Sequence, residues 1–230
     1  MSVAIVTGAG GDIGRAIAAA LRASTVTVIA ADVNGEAAVA AAETLSGDVG
    51  KVVPVTCDVT DPNSVAALIA AARGHGEISV LVNNAGRSAP TGILEITEAQ
   101  WDSAIDVNLK SCFNYIQAVA PLMIKREYGR IVSMSSLNAH SGGVTAAVSR
   151  FAYAAAKAGI IGMARTWALE LAPQLLLGLS LWLPLELELE LELLRLRHRK
   201  EAQKSSYMPK RTRPASGKDA KRRLRSFVSV

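Results

Sequence analysis

The sequence has only two cysteines, Cys57 and Cys112, and three histidines, His75, His140 and His198, among its 230 residues. Two cysteines cannot build a disulfide framework, and their spacing to the histidines matches no metal-ligand pattern. Both therefore read as buried thiols, and no metal site is expected. Long hydrophobic runs are missing as well. No stretch approaches the roughly 18 uncharged apolar residues that cross a bilayer, and the N-terminus runs straight into a strand-like segment instead of a basic and then apolar leader. A cytoplasmic protein with no membrane partner is expected.

Positive charge is scarce in the body of the chain. Residues 1–194 carry 12 basic and 18 acidic residues, whereas the last 36 carry 13 basic and 2 acidic. The formal charge of +5 is thus a property of the tail and says nothing about partners of the body. That tail has few aromatics on which bases could stack, so nucleic-acid binding is disfavoured.

Half of the residues are apolar, enough for one α/β domain with a buried core. Short β-branched runs alternate with alanine-rich stretches. VAIVTG precedes a helix over Ile13–Leu21, VTVIAAD a helix near Glu36–Leu45, and KVVPVTCD a helix opening at Asp61-Pro62. ISVLVNNAG then precedes one long helix from about Ala99 to Arg126, and GRIVSMSS a helix from about Arg150 to Leu171. Strands that are apolar throughout and separated by helices predict a doubly wound parallel α/β sheet of the Rossmann type. The pattern stops after Pro173. Residues 1–173 are expected to form the dinucleotide-binding and catalytic domain, 174–194 a low-complexity Leu/Glu segment, and 195–230 a basic, disordered tail.

Three motifs carry chemistry. Thr7-Gly8-Ala9-Gly10-Gly11-Asp12-Ile13-Gly14 lies between the first strand and the first helix, where glycines permit a tight turn and a pyrophosphate can sit on free N–H groups at the helix start. Gly8, Gly11, Asp12, Ile13 and Gly14 are the candidate seat. Asp12 brings a negative charge to that seat unless its side chain turns away. Asp32, at the end of the second strand, is placed to accept hydrogen bonds from a ribose 2′-OH. No Arg or Lys stands at Ala9–Gly11 or Val33-Asn34 to neutralise a 2′-phosphate, so NAD(H) is favoured over NADP(H). Tyr153 and Lys157, four residues apart, share one helix face. In a chain with four tyrosines this spacing arises by chance about one time in six, so its context must carry it. The chemistry is direct: a neighbouring ammonium favours the phenolate and makes the tyrosine a usable acid/base.

In this order TGAGGDIG, CDVTD, NNAG, GRIVSMSS and YAAAK resemble a short-chain dehydrogenase/reductase, over residues 1 to about 172. The resemblance implies hydride transfer between a nicotinamide dinucleotide and a secondary alcohol or ketone, a 3-oxoacyl-carrier-protein reductase being one identity. It also implies roles. Tyr153 would exchange a proton with the substrate oxygen, Lys157 hold the nicotinamide ribose, Ser136 orient the carbonyl and Asn108 anchor a relay water. Asp58 and Val59 would frame the adenine, Asn84, Ala85 and Gly86 line the cofactor ribose, and the long helices mediate homo-oligomer formation. Three departures stand out: Asp12 stands where the family's phosphate turn has its middle glycine, Tyr153 follows Ser136 by 17 positions, making a longer loop, and residues 174–230 resemble nothing in the family. That end reads as replaced or out of frame. A catalytically impaired dinucleotide-binding protein without its substrate lid is therefore the alternative.

Overall fold

The computed structural model describes residues 1–141, apart from 25, 46, 48, 49 and 89, together with residues 151–171. The segments expected at 174–194 and 195–230, and most of the long loop before Tyr153, lie outside the described residues. Five strands, β1 (Ser2–Thr7), β2 (Thr27–Asp32), β3 (Val52–Thr56), β4 (Glu77–Asn83) and β5 (Arg130–Ser133), form one parallel sheet in the order β3-β2-β1-β4-β5. Register is set by pairs such as Val6 with Ala30 and with Val82, and Asn83 with Ser133. The chain winds outward from β1 to β3 and then crosses to β4 on the other side. That reversal opens a crevice at the carboxyl ends of β1 and β4, where parallel α/β sheets hold their ligands.

Alternation along the strands divides the core into two layers. Val3, Ile5, Ile29 and Leu81 join Leu68, Tyr115, Val119 and Met123 on one side, while Ala4, Val6, Val28 and Val82 join Ile17, Ala18 and Leu21 on the other. Truncating such a residue, Leu81→Ala for example, costs about 2–5 kcal/mol because the cavity collapses only in part. The helices are built from local signals. In α1 (Asp12–Arg22), Gly14, Ile17, Ala18 and Leu21 fall on one buried face. Asn34 caps α2 (Gly35–Thr44) by accepting from the Ala37 N–H at 3.1 Å, and Asp61 with Pro62 opens α3 (Pro62–Arg73). A Thr97/Gln100 capping box starts α4 (Glu98–Ile105).

The long helix expected over Ala99–Arg126 is not uniform. It runs as α4, a widened π-helical turn over Asp106–Lys110, and α5 (Ser111–Ile124). The loop after β5 holds a short helix, α6 (Asn138–Ser141), and α7 (Phe151–Leu171) packs against α4 and the π turn. A stack of Trp101 on Phe151, with centroids 5.1 Å apart, fixes the start of α7. No helix among the described residues is long and apolar enough to cross a membrane.

Candidate active site

The turn between β1 and α1 is shaped by its glycines. Gly8 has φ +66°, a left-handed conformation that glycine adopts without strain. A Cβ on Gly14 would run into the Gly8 carbonyl oxygen and lie 2.8 Å from the Ala9 Cα, so the turn closes only on a residue without a side chain. Gly11 differs, since a Cβ there would meet nothing nearer than the Gly8 oxygen at 3.6 Å. The N–H groups of Asp12, Ile13 and Gly14, in the first turn of α1, have no acceptor among the described residues, as expected at a helix start. An open face above Gly11, beside free donors at the positive end of a helix, fits a pyrophosphate. The Asp12 carboxylate does not obstruct it: its side chain is 94% exposed and paired with the Arg15 guanidinium at 2.6 Å.

Asp32 closes the same turn from β2. One carboxylate oxygen accepts from the Gly10 N–H at 2.9 Å and the other from the Asn34 N–H at 3.0 Å, so the half-buried acid is fixed at the mouth of the turn. Its carbonyl accepts from the Cys57 N–H at 2.8 Å, which ties β2 to the end of β3. Beyond Cys57, Asp58 is exposed and Val59 half-buried. The Thr60 N–H and hydroxyl, at 2.8 and 2.7 Å, hold the Asp58 carboxyl below its ordinary pKa.

The residues after β4 are laced to the glycine turn by Thr7, which the motif reading had not singled out. Its Oγ1 accepts from the N–H groups of Asn84 and Ala85, both at 3.0 Å, and donates to the Val82 carbonyl at 3.3 Å. Asn84 returns the contact, its Nδ2 donating to the Thr7 and Gly8 carbonyls at 3.0 and 3.3 Å. The only signal for Thr7 in the sequence is its place one residue before the turn. At Gly86 a Cβ would lie 2.8 Å from Asn108 Oδ1 and 3.5 Å from Lys157 Nζ, so three separate motifs converge there.

Asn108 sits fully buried in the π turn. Its Nδ2 donates to the carbonyls of Arg87 and Ala104 at 2.8 and 2.9 Å, and its Oδ1 accepts from the Arg87 N–H at 3.0 Å. Both Nδ2 protons are thus used, while the Asn108 backbone carbonyl faces the Cys112 thiol at 3.9 Å. A π turn disturbs the regular helical ladder at this position, and such turns recur at functional sites.

Lys157 is 3% exposed, and its Nζ donates to the Met134 carbonyl at 2.6 Å. The ammonium lies 5.6 Å from the centre of the Tyr153 ring. Burial lowers its pKa below the ordinary 10.5, opposed by Cys112, whose own thiol burial pushes up. The segment after β5 is thus fastened to α7 twice, because Ser135 Oγ also donates to the Lys157 carbonyl at 2.8 Å. Ser135 is buried and committed to that bond, whereas Ser136 is half-buried, its Oγ accepting from the Asn138 N–H at 3.2 Å. Tyr153 is half-buried one helical turn before Lys157. Both cysteines are buried and free, and no group of three metal-ligating side chains occurs among the described residues.

A glycine turn opening a helix beneath a switch in strand order, with a tyrosine and a lysine on the helix across the crevice, defines a dinucleotide-binding α/β oxidoreductase. The short chain dehydrogenase family model matches residues 2–176. The 3-oxoacyl-[acyl-carrier-protein] reductase FabG of Thermotoga maritima is 39% identical over 171 residues, covering 74% of this chain and 68% of that protein. D-threitol dehydrogenase of Mycolicibacterium smegmatis is 39% identical over 169 residues, covering 73% of this chain and 64% of its own length. The chain thus spans about two thirds of the length of these curated relatives. Among solved structures, a metagenomic short-chain oxidoreductase in complex with NADP superposes with a TM-score of 0.71 at 33% identity, covering 78% of this chain and 81% of that one. The chain belongs to the short-chain dehydrogenase/reductase family of NAD(P)-dependent oxidoreductases.

Proposed function

We propose that this chain transfers a hydride between a nicotinamide dinucleotide and a secondary alcohol or ketone, with Tyr153, Lys157, Ser136 and Asn108 as its catalytic group. The observation that carries the reading is the double fastening of Lys157, through Nζ and through its carbonyl, to the segment bearing Ser136. It holds one α7 turn, Tyr153 included, against the end of β5. When bound, the dinucleotide supplies or accepts the hydride. Tyr153 gives its proton to, or takes it from, the substrate oxygen. Ser136 accepts a backbone N–H, so its own hydroxyl proton is left to donate to that oxygen and stabilise developing charge. Lys157 keeps a positive charge next to the phenol and, with Asn84, Ala85 and Gly86, would hold the nicotinamide ribose. The Asn108 carbonyl would anchor the water that resupplies the proton.

Gly8, Gly11, Asp12, Ile13 and Gly14 would seat the pyrophosphate, Asp32 the adenosine ribose, and Asp58 and Val59 the adenine. NAD(H) is the preferred partner in this reading, although the solved relative named above holds NADP. Asp32 presents a fixed carboxylate with no basic residue at Ala9–Gly11 or Val33-Asn34. A phosphate charge about 4 Å from it costs on the order of 4 kcal/mol at an effective dielectric of about 20. The relatives support 3-oxoacyl thioesters and polyol-derived ketones as substrates, and exposed Phe113 on α5 and Leu169 on α7 support a homo-oligomer.

A second reading, dinucleotide binding without turnover, draws on the end of the family match at residue 176, before the segment that would cover the substrate. Oxidation of NADH and of NADPH over a panel of 3-oxoacyl thioesters and ketoses separates the two. The enzyme reading expects turnover, faster with NADH, that disappears in Tyr153→Phe. Heat protection by NADH with no turnover on any substrate favours binding alone.

A further inference from the structure

Tyr115 lies on α5, seven residues beyond Asn108, fully buried, and takes no part in the chemistry above. Its hydroxyl is 3.1 Å from Cys57 Sγ. The same sulfur accepts from Ser64 Oγ at 3.4 Å, and that oxygen in turn accepts from the Asp58 N–H at 3.1 Å. A polar chain, buried at Tyr115 and opening to solvent at Asp58, therefore runs from α5, through the end of β3, to the first turn of α3, and finishes on the amide of the residue read above as framing the adenine. Cys57 is its junction, because its N–H also holds the Asp32 carbonyl at 2.8 Å.

Burial, reinforced by the thiol, pushes the Tyr115 pKa far above its ordinary 10.0, so the phenol stays neutral and shares with the Cys57 thiol one hydrogen bond in which either group can donate. Its partner among the described residues is the sulfur. The link from Asp58 to Ser64 fixes the loop through its backbone, leaving the Asp58 carboxylate to Thr60 and to any ligand.

We infer that Tyr115 is a positioning residue for the adenosine half of the dinucleotide site, holding Asp58 and Asp32 in place through Cys57 and Ser64. The inference rests on the cofactor reading given above. It makes the π turn and α5 one spine serving both ends of the crevice, with Asn108 in the turn at the nicotinamide end and Tyr115 on α5 beneath the adenosine end. Removing the phenol oxygen frees the Cys57 end of the loop without emptying the core, since the ring remains.

Isothermal titration of the full chain with ADP-ribose and, separately, with nicotinamide mononucleotide tests it, alongside thermal melts. In Tyr115→Phe, ADP-ribose affinity is expected to fall about three- to tenfold, the range of one hydrogen bond, with nicotinamide mononucleotide unchanged. Ser64→Ala should show the same split, and the double variant should lose less than the sum of the two, since both act through one sulfur. A variant that melts earlier yet binds ADP-ribose as the parent does would overturn the inference, as would equal weakening of both fragments. A parent chain that binds neither fragment overturns the cofactor reading itself, and the inference with it.

Discussion

Gly11 and Gly14 stand three residues apart in one turn, and the structure gives alanine opposite consequences at the two positions. At Gly14 the new methyl meets backbone, the Gly8 oxygen and the Ala9 Cα, neither of which can rotate away. Overpacking of this kind costs about 1–3 kcal/mol. For a domain of this size that corresponds to a fall of about 3–10 °C in the melting midpoint. At Gly11 the methyl enters open space, and the backbone there, φ −79° and ψ 164°, suits alanine. Lower unfolded-state entropy then offsets the weaker cap, and stability should change by less than about 1 kcal/mol. The Gly11 methyl nevertheless occupies the face proposed for the pyrophosphate, so NADH affinity should drop about tenfold or more, a loss of about 1.4 kcal/mol. Circular dichroism melts and fluorescence titration with NADH read the two effects separately. Full NADH affinity in Gly11→Ala would refute the phosphate seat, and an unchanged midpoint in Gly14→Ala would refute the packing argument.

Thr7→Val keeps the shape but leaves two N–H groups and a carbonyl contact unserved, so it should destabilise by about 1–3 kcal/mol in denaturant titration; a neutral result would deny Thr7 its place as the node of the site. Asp32→Ala should raise NADPH use relative to NADH while weakening both, which the ratio of kcat/KM values measures. Lys157 gives a pH dependence. Its pKa is lowered on folding, so between the folded value and the ordinary 10.5 the unfolded chain binds more protons and stability rises with pH. Cys112 and Tyr115, both raised by burial, act with the opposite sign above 9.0 and 10.0, so the informative quantity is the difference between the parent and Lys157→Met across that range. Lys157→Met should lose this pH-dependent contribution and show no turnover, the loss of the Nζ bond to the Met134 carbonyl offsetting at neutral pH the gain from removing a buried charge.

The parallel sheet and its glycine turn were legible because they follow from local rules: apolar runs of strand length, a helix start at Asp61-Pro62, and glycines at a strand-to-helix junction, whereas the strand order and the Asn34 cap came only from the structure. The spacing of Tyr153 and Lys157 was legible too, but only beside the other motifs. What the letters did not carry is tertiary. The π turn at Asp106–Lys110 leaves the hydrophobic pattern of one continuous helix intact, so no periodicity marks it. Lys157 finds its partner in the Met134 carbonyl, a backbone atom with no residue signature. Asp12 looked unfavourable in a phosphate turn, and the outward rotamer that pairs it with Arg15 removes the conflict. Tyr115 and Cys57 are 58 residues apart and meet only because α5 folds under the end of β3.

The central claim concerns a hydride, and isotope transfer tests it most directly. NADH carrying deuterium at both nicotinamide C4 positions is incubated with the full chain and a ketone substrate, and the alcohol product is weighed by mass spectrometry. The account predicts one deuterium on the carbinol carbon, absent when Tyr153→Phe replaces the parent chain. Unlabelled alcohol, or equal labelling by Tyr153→Phe, would contradict it.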